Sequence, residues 1–259
     1  MIKKRITIAA MSDLHGQLPN PSEMEEVDVV VICGDTVCLE YQRSDELSED
    51  WFANEFKDWV KAVICHKIIM IAGNHDFWMF KKNKQYIKNK FHEWYGNKVV
   101  YLQDEMYIYQ DVRFYGCPWC QGPLNWAFCP GNKYRSVPGV MQYYEQIPEC
   151  DVLITHQPPK IGNLGISFYW DDIRKEDWSS DNLRLNIKDK NILVNFCGHI
   201  HSGQHTHIEY PVHGCETVFY NVSLLNESYR MAYDPMYVNI YKEERKVEEE
   251  KTHKIITKV

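Results

Sequence analysis

An α/β protein with its chemistry at the ends of its strands is what this sequence predicts, and three observations predict it. Five apolar, β-branched runs, Ile6 to Ala10, Val29 to Cys33, Ile68 to Ala72, Val152 to Ile154 and Ile192 to Cys197, have the length and composition of buried strands. Five polar clusters punctuate the chain, most of them directly after such a run: Asp13-Leu14-His15, Gly34-Asp35, Gly73-Asn74-His75-Asp76, Thr155-His156 and Gly198-His199-Ile200-His201. Between the runs lie stretches with helical periodicity. Side chains able to bind metal therefore stand where strands stop, the place where open α/β sheets build their sites.

Taken in order, the first run follows a basic start, Met1-Ile2-Lys3-Lys4-Arg5, but it ends at Ser12-Asp13 inside the first cluster. Cleavage there would remove ligands, so the run reads as a strand and not as a signal peptide. Residues 44 to 64 read as a helix, with Phe52, Phe56, Trp59, Val60 and Val63 on one stripe and Glu and Lys on the other side. Residues 79 to 95 read likewise, with Ile87, Phe91 and Trp94 inward and Gly96 as the stop. From 99 to 116 the pattern changes to short strands, Val99 to Leu102, Met106 to Tyr109 and Val112 to Tyr115, which predict an antiparallel edge. Ser180 opens a helix through about Lys188, and Val218 to Val222 and Tyr237 to Tyr241 are closing strands. The resulting picture is strands in two layers with helices outside.

At 259 residues, with no Gly/Ser-rich linker, low-complexity tract or repeat, the chain reads as one domain over 1–259. A mixed-charge tail begins at about Lys242 and reads as a surface helix or an extended arm. Its Ile255, Ile256 and Val259 could dock on the body or on a second subunit, so a homodimer is one expected arrangement. A formal charge of −7 argues against tracking of long nucleic acid by counterion release. A small nucleotide stays compatible, because bound metal supplies local positive charge. No apolar run approaches the length of a membrane span. Nine cysteines without a secretory signal predict a reducing, cytoplasmic setting.

The ligand types carry the chemistry. Carboxylate, imidazole and carboxamide oxygen together suit Mn, Fe, Zn or Ni, whereas Ca or Mg would take mostly oxygen. The donors outnumber what one ion needs, and two ions sharing a carboxylate, about 3.5–4 Å apart, would use them all. Such a pair makes hydroxide from a bridging water near neutral pH and clamps phosphoryl oxygens, so no Ser or Cys nucleophile is required. Any one of the clusters alone is as readily a turn or a helix cap. Five in order are not.

The five clusters resemble the calcineurin-like metallophosphoesterases, whose pattern runs D-x-H, G-D, G-N-H-[D/E], a lone His, then G-H-x-H; here it spans residues 13 to 201. The resemblance implies a four-layer αββα sandwich, two mixed β-sheets flanked by helices. It implies one metal held by Asp13, His15, Asp35 and His201, and a second held by bridging Asp35 with Asn74, His156 and His199. It further implies that His75 is not a ligand but faces the phosphate and protonates the leaving group, with Asp76 orienting it through a ring N–H. Residues Thr36 to Glu40 lack the further Asp or Arg-Gly of many members. Phe114 to Trp119, Trp126 to Phe128 and Thr155 to Pro159 are similar to the class III cyclic-nucleotide-phosphodiesterase-like branch, which includes the metallophosphoesterase-domain proteins of animals. Some of those carry Gly in place of the final His and are poorly active; the intact His201 points to an active enzyme.

The expected activity is hydrolysis of a small phosphoester, foremost a nucleotide-type phosphodiester. Phosphomonoesters, phosphoproteins and nucleic-acid ends are the rival substrates, and a metal-binding scaffold is the rival outside enzymes. Aromatics crowd two segments, Trp119, Trp126, Phe128 and Tyr134, then Phe168, Tyr169 and Trp170. They can stack a base beside the metals or pack the loop on itself or on a partner. His205 and His207 extend the last histidine cluster, and His205 could touch substrate. Cys117-Pro118-Trp119-Cys120 spells a redox-type motif, but Gly122-Pro123 follows where a thioredoxin site needs a helix, so it reads as a loop. A thiol–metal or redox role is the alternative, with Cys129 as a third sulfur and no clear fourth ligand nearby.

Overall fold

The computed structural model describes residues 5–131, 139–168, 175–203, 205, 208–212, 215–241 and 246–249. Tyr134, Tyr169, Trp170, His207 and the end of the tail, with Ile255, Ile256 and Val259, lie outside the described residues.

In chain order the strands are β1 Arg5–Met11, β2 Val27–Ile32, β3 Cys65–Met70, β4 Val99–Tyr101, β5 Glu105–Tyr109, β6 Val112–Cys117, β7 Val152–Thr155, β8 Ile166–Phe168, β9 Lys175–Asp177, β10 Val194–Cys197, β11 Ile208–Val212, β12 Cys215–Asn221, β13 Met236–Tyr241 and β14 Lys246–Glu249. The α-helices are α1 Asp45–Trp51, α2 Lys57–Ala62, α3 Phe77–Lys81, α4 Lys84–Tyr95, α5 Met141–Tyr144 and α6 Asp181–Ile187. One six-stranded sheet has the order β14-β13-β1-β2-β3-β4, the other β11-β12-β10-β7-β6-β5. Both are mixed. β1 to β4 run parallel, β13 is antiparallel to β1 and β14 antiparallel to β13, while β12, β10, β7 and β6 run parallel between antiparallel β11 and β5.

The apolar runs are continuous because the central strands are covered on both faces. Ile6, Ile8 and Ala10 of β1 join Val29, Val31, Ile69 and Ile71 in a core shared with Phe114, Val152, Ile154, Val194 and Phe196 of the other sheet. The alternate residues, Ala9, Met11, Val30, Ile32, Ile68 and Met70, turn to a second core with Trp51, Phe52, Phe56, Trp59, Trp78 and Phe91 from the helices. Tyr144 of α5 with Leu183 and Ile187 of α6 adds helical cover to the same buried set, which includes Leu153. The outcome is two mixed sheets face to face with helices outside.

Local signals set several boundaries. Ser44 caps α1, its hydroxyl accepting from Leu47 N–H, and Asp45 and Glu46 sit in the first turn where the helix dipole favours acid. The single helix expected over 44–64 runs through a π-helical turn, Phe52–Phe56, between α1 and α2. The helix expected over 79–95 is two: Lys82 is extended and the Asn83 side chain caps α4 by accepting from Tyr86 N–H. A short amide that satisfies the backbone locally competes with helix continuation. Gly96, at φ 60, ends α4 as expected. Ser180 caps α6.

The stretch 99–116 corrects the expectation of one antiparallel edge. β4 pairs in parallel with β3 in the first sheet, whereas β5 and β6 form an antiparallel hairpin in the second. Within the charged tail, β14 is a strand paired with β13, so the described part is extended. The β8–β9 hairpin, β11 and α5 carry no sequence signal that marked them. Among the described residues no helix is long and apolar enough to cross a membrane.

Candidate metal centre

The polar clusters meet because they follow the carboxyl ends of parallel strands, β1, β2 and β3 from one sheet and β7 and β10 from the other. Four of the clustered residues stand in the left-handed region, Asp13 at φ 54, His15 at φ 41, Asp35 at φ 52 and His199 at φ 71. Such backbone costs on the order of 1–3 kcal/mol per residue, and it persists where the surroundings over-determine it, typically at functional sites. Here Asp13 N–H donates to Gly34 O at 3.0 Å, His15 N–H to Asp35 O at 3.0 Å, and His199 N–H to Asp13 Oδ2 at 2.9 Å.

Seven side chains converge, with Asp35 at their centre. On one side, ligand atoms of Asp13, His15 and His201 lie within 4.8 Å of one another, and His15 Nε2 is 3.9 Å from Asp35 Oδ2. On the other, His156 Nε2 is 3.2 Å from Asp35 Oδ2 and 2.9 Å from Asn74 Oδ1, which in turn is 2.7 Å from His199 Nδ1. Asp13 also accepts from the Ser223 hydroxyl at 2.7 Å.

The donor set fits metal. Neither ring nitrogen of His15 has a hydrogen-bond partner among the described residues, though the residue is only 6% exposed. Buried polar atoms are rarely left so. His156 Nδ1–H donates to Cys33 O at 2.8 Å, which leaves the Nε2 lone pair aimed at two oxygens. His201 repeats the device, its Nδ1–H donating to Asn226 O at 3.0 Å while Nε2 faces Asp13 Oδ1 at 3.5 Å. A carbonyl on the far nitrogen is how proteins fix the tautomer of a metal-binding His. Lone pairs facing carboxylate and amide oxygens repel unless a cation lies between them.

Without an ion, protons take that place. Burial pulls the His156 ring down, but Asp35 and Asp13 outweigh it and lift the pKa to about 10. His201 behaves alike, burial being outweighed by its bond to Asp13, and reaches about 9. His15 and His199 fall to about 4 and about 3, burial being the largest cause in each. Burial would raise Asp35, yet the surrounding histidines, His156 first, hold it well below the usual carboxylate range.

A family model described as calcineurin-like phosphoesterase matches residues 6–203. The chain belongs to that family. Its members are hydrolases of phosphoester bonds and typically bind divalent metals. A UPF0046 protein of Caenorhabditis elegans is 29% identical over 193 residues, covering 68% of this chain and 62% of that protein. The chain thus spans less than two thirds of that relative's length. Among solved structures, a phosphopantetheinyl hydrolase from Mycobacterium tuberculosis aligns with a TM-score of 0.48 at 15% identity, covering 88% of this chain and 93% of that one.

Around the seven, this calcineurin-like phosphoesterase departs from the sequence reading at three places. Asp76 does not serve the His75 ring. Its Oδ2 accepts from Gly73 N–H at 2.7 Å and Asp35 N–H at 2.9 Å, and its Oδ1 from Thr36 N–H at 3.1 Å, which ties the turn after β3 to the turn after β2. Burial first, then Asp35, raises its pKa to about 7. The ring partner of His75 is Gln42, with Oε1 2.7 Å from Nδ1, and His75 Nε2 is 3.9 Å from Asp35 Oδ2. Trp119 is packed away: its ring stacks on Tyr143 at 3.6 Å and its indole N–H donates to Asp104 at 2.7 Å. His205 stacks on Tyr233 and its Nε2 lies 2.9 Å from the His201 carbonyl, behind the cluster's last histidine. Trp126 does reach the site, its ring 4.7 Å from His75.

Sequence reasoning missed three neighbours. Gln42 follows no motif and is brought in by a turn held through Gln42 N–H to Cys38 O at 3.0 Å. Tyr229, at φ 55, sets its half-exposed ring 5.0 Å from both His15 and His201. Arg43 lays its guanidinium 3.7 Å over Phe77, beside Trp126.

Proposed function

We propose that this chain is a dinuclear metal-dependent phosphoesterase acting on a small phosphoester, foremost a nucleotide-type phosphodiester. The observation that carries the reading is one carboxylate, Asp35, flanked by two donor sets, with His15 buried and unpartnered among the described residues. In this reading Asp13, His15, Asp35 and His201 hold one ion and Asp35, Asn74, His156 and His199 the other. Bound ions supply an acidic water near neutral pH and a clamp for phosphoryl oxygens; Mn, Fe, Zn or Ni suits the donors.

The remaining groups act on the substrate. His75 turns Nε2 to the Asp35 side while Gln42 occupies Nδ1, so a leaving-group oxygen arriving there meets a positioned imidazole. Asp76 acts one step back, holding both ligand-bearing turns in register. Trp126, at the edge of His75, offers a face for a base or another planar leaving group. Because ligands come from both halves of the chain, residues 1–259 act as one domain. The described cysteines are free thiols, which supports a reducing compartment such as the cytoplasm.

The test is hydrolysis of bis-p-nitrophenyl phosphate against p-nitrophenyl phosphate with Mn added, followed by cyclic and linear nucleotides, with metal analysis of the purified protein. Diester preference with two metal equivalents is expected. Faster monoester hydrolysis would replace the substrate class, and a protein that binds metal but hydrolyses neither would be a scaffold.

A further inference from the structure

The redox-type motif of the sequence is not absorbed by this function, and the structure brings one of its sulfurs to the metal centre. Ligand atoms of Cys120, His156 and His199 lie within 4.8 Å of one another. Cys120 is fully buried, its thiol donating to the Pro118 carbonyl at 3.6 Å and lying in hydrogen-bond contact with Cys129.

The loop that carries it is built onto the ligands themselves. Cys120 N–H donates to Phe128 O at 2.9 Å, and Ala127 N–H, one residue before Phe128, donates to the Asn74 carbonyl at 3.2 Å. Gln121 N–H donates to Gln157 Oε1 at 2.7 Å, and Gln157 follows His156 directly. Tyr144 locks that amide from the other side, its hydroxyl donating to Gln157 Oε1 at 3.1 Å. Cys120 is therefore tied through Phe128 and Ala127 to the turn that presents Asn74, and its neighbour Gln121 directly to Gln157 beside His156. A side chain placed so tightly beside metal donors has the supported geometry that metal sites need.

We propose that Cys120 is a thiolate ligand of the second metal, the one held by Asn74, His156, His199 and Asp35. The inference rests on the two-metal reading above. On binding, the S–H bond breaks, the proton leaves to solvent and a sulfur–metal bond forms, with no change of oxidation state. A soft thiolate favours Zn, Fe or Co over Mn or Mg, so Cys120 tunes which ion the second position keeps.

Cobalt separates the outcomes. Wild-type protein saturated with Co(II) should carry two equivalents and show a thiolate-to-cobalt charge-transfer band in the near ultraviolet. Cys120→Ser should keep both equivalents at saturating cobalt and lose the band, while Cys129→Ser should keep it. Zn affinity of the second position should fall by about 10-fold or more in Cys120→Ser, with Mn affinity changed less. If that variant does not fold, X-ray absorption of Zn-loaded wild type decides, since sulfur scatters at about 2.3 Å and nitrogen or oxygen at about 2.0–2.2 Å. Two bound metals with no sulfur contribution would overturn the Cys120 assignment and leave the dinuclear reading standing. Fewer than two metals would overturn both.

Discussion

Replacing Gln42 by Ala removes the hydrogen-bond partner of His75 Nδ1 and leaves the ligands in place. The bond is short, 2.7 Å, and a side-chain hydrogen bond of this kind is worth about 0.5–1.5 kcal/mol. If all of that goes to holding the ring in its reactive orientation, the barrier rises by the same amount, about 2- to 13-fold in kcat at 1.36 kcal/mol per decade. The lower half of that range is expected. Three other contacts hold the residue: His15 packs on the ring at 4.8 Å and Trp126 at 4.7 Å, and the backbone N–H of His75 stays on Asp35 Oδ1 at 2.7 Å. Removing the imidazole itself, His75→Ala, should cost about 10²–10⁴-fold, the usual scale of a general acid or base. Because Gln42 acts only through His75, the double variant should be no slower than His75→Ala alone. The assay is kcat on an alkyl phosphodiester and on a nitrophenyl diester, with metal content measured for each variant. Both losses should shrink on the nitrophenyl substrate, whose leaving group needs no proton. An equal Gln42→Ala penalty in the wild-type and His75→Ala backgrounds would refute the coupling, and loss of metal in either variant would refute the division between ligands and acid.

Five other outcomes follow from the same geometry. Asp35→Asn should lose both metals together by elemental analysis, because Asp35 Oδ2 faces His15 on one side and His156 on the other; one tightly held ion surviving would end the shared-carboxylate arrangement. His156 and His201, raised to about 10 and about 9, are protonated at neutral pH without metal, so metal loading should release protons and affinity should climb until pH passes about 9–10. In the metal-free protein, the stability these two rings supply is complete below about pH 6.5 and is lost as pH rises through 9 to 10, readable in thermal melts. Gly73→Ala would set a Cβ 2.2 Å from Asp35 Oδ1 and 2.6 Å from His156 Cε1, against groups that cannot move freely, so metal affinity should fall by about 10–100-fold while circular dichroism stays native. Trp126→Ala should raise KM for nucleotides by about 5- to 150-fold, the value of about 1–3 kcal/mol for base stacking, and should change the nitrophenyl diester less; an equal effect on both would remove the base-stacking role.

The helix start near residue 44, the helix opened by Ser180, the stop at Gly96 and the doubly covered strands were legible in the sequence because each depends on neighbours a few residues away or on burial of both faces. The meeting of the seven clustered side chains was legible because their chemistry is unusual and the strands before them deliver them to one edge. What the sequence could not decide was every choice of distant partner. Val99 to Tyr101 and Glu105 to Tyr109 look alike as short strands, yet they join different sheets, since strand pairing is settled by which edge the returning chain meets. Asp76 stands next to His75 in sequence, but four backbone donors within 3.4 Å already claim its carboxylate, and the ring is served by Gln42 from another loop. Trp119 and Trp126 differ in nothing a sequence window records, and only packing sends one beneath Tyr143 and the other to His75. Cys120 likewise reads as a loop residue until hydrogen bonds from its loop to Asn74 and Gln157 carry it beside His156 and His199. Composition and periodicity report what surroundings a residue needs; which residues supply them is fixed only when segments far apart in the chain close on one another.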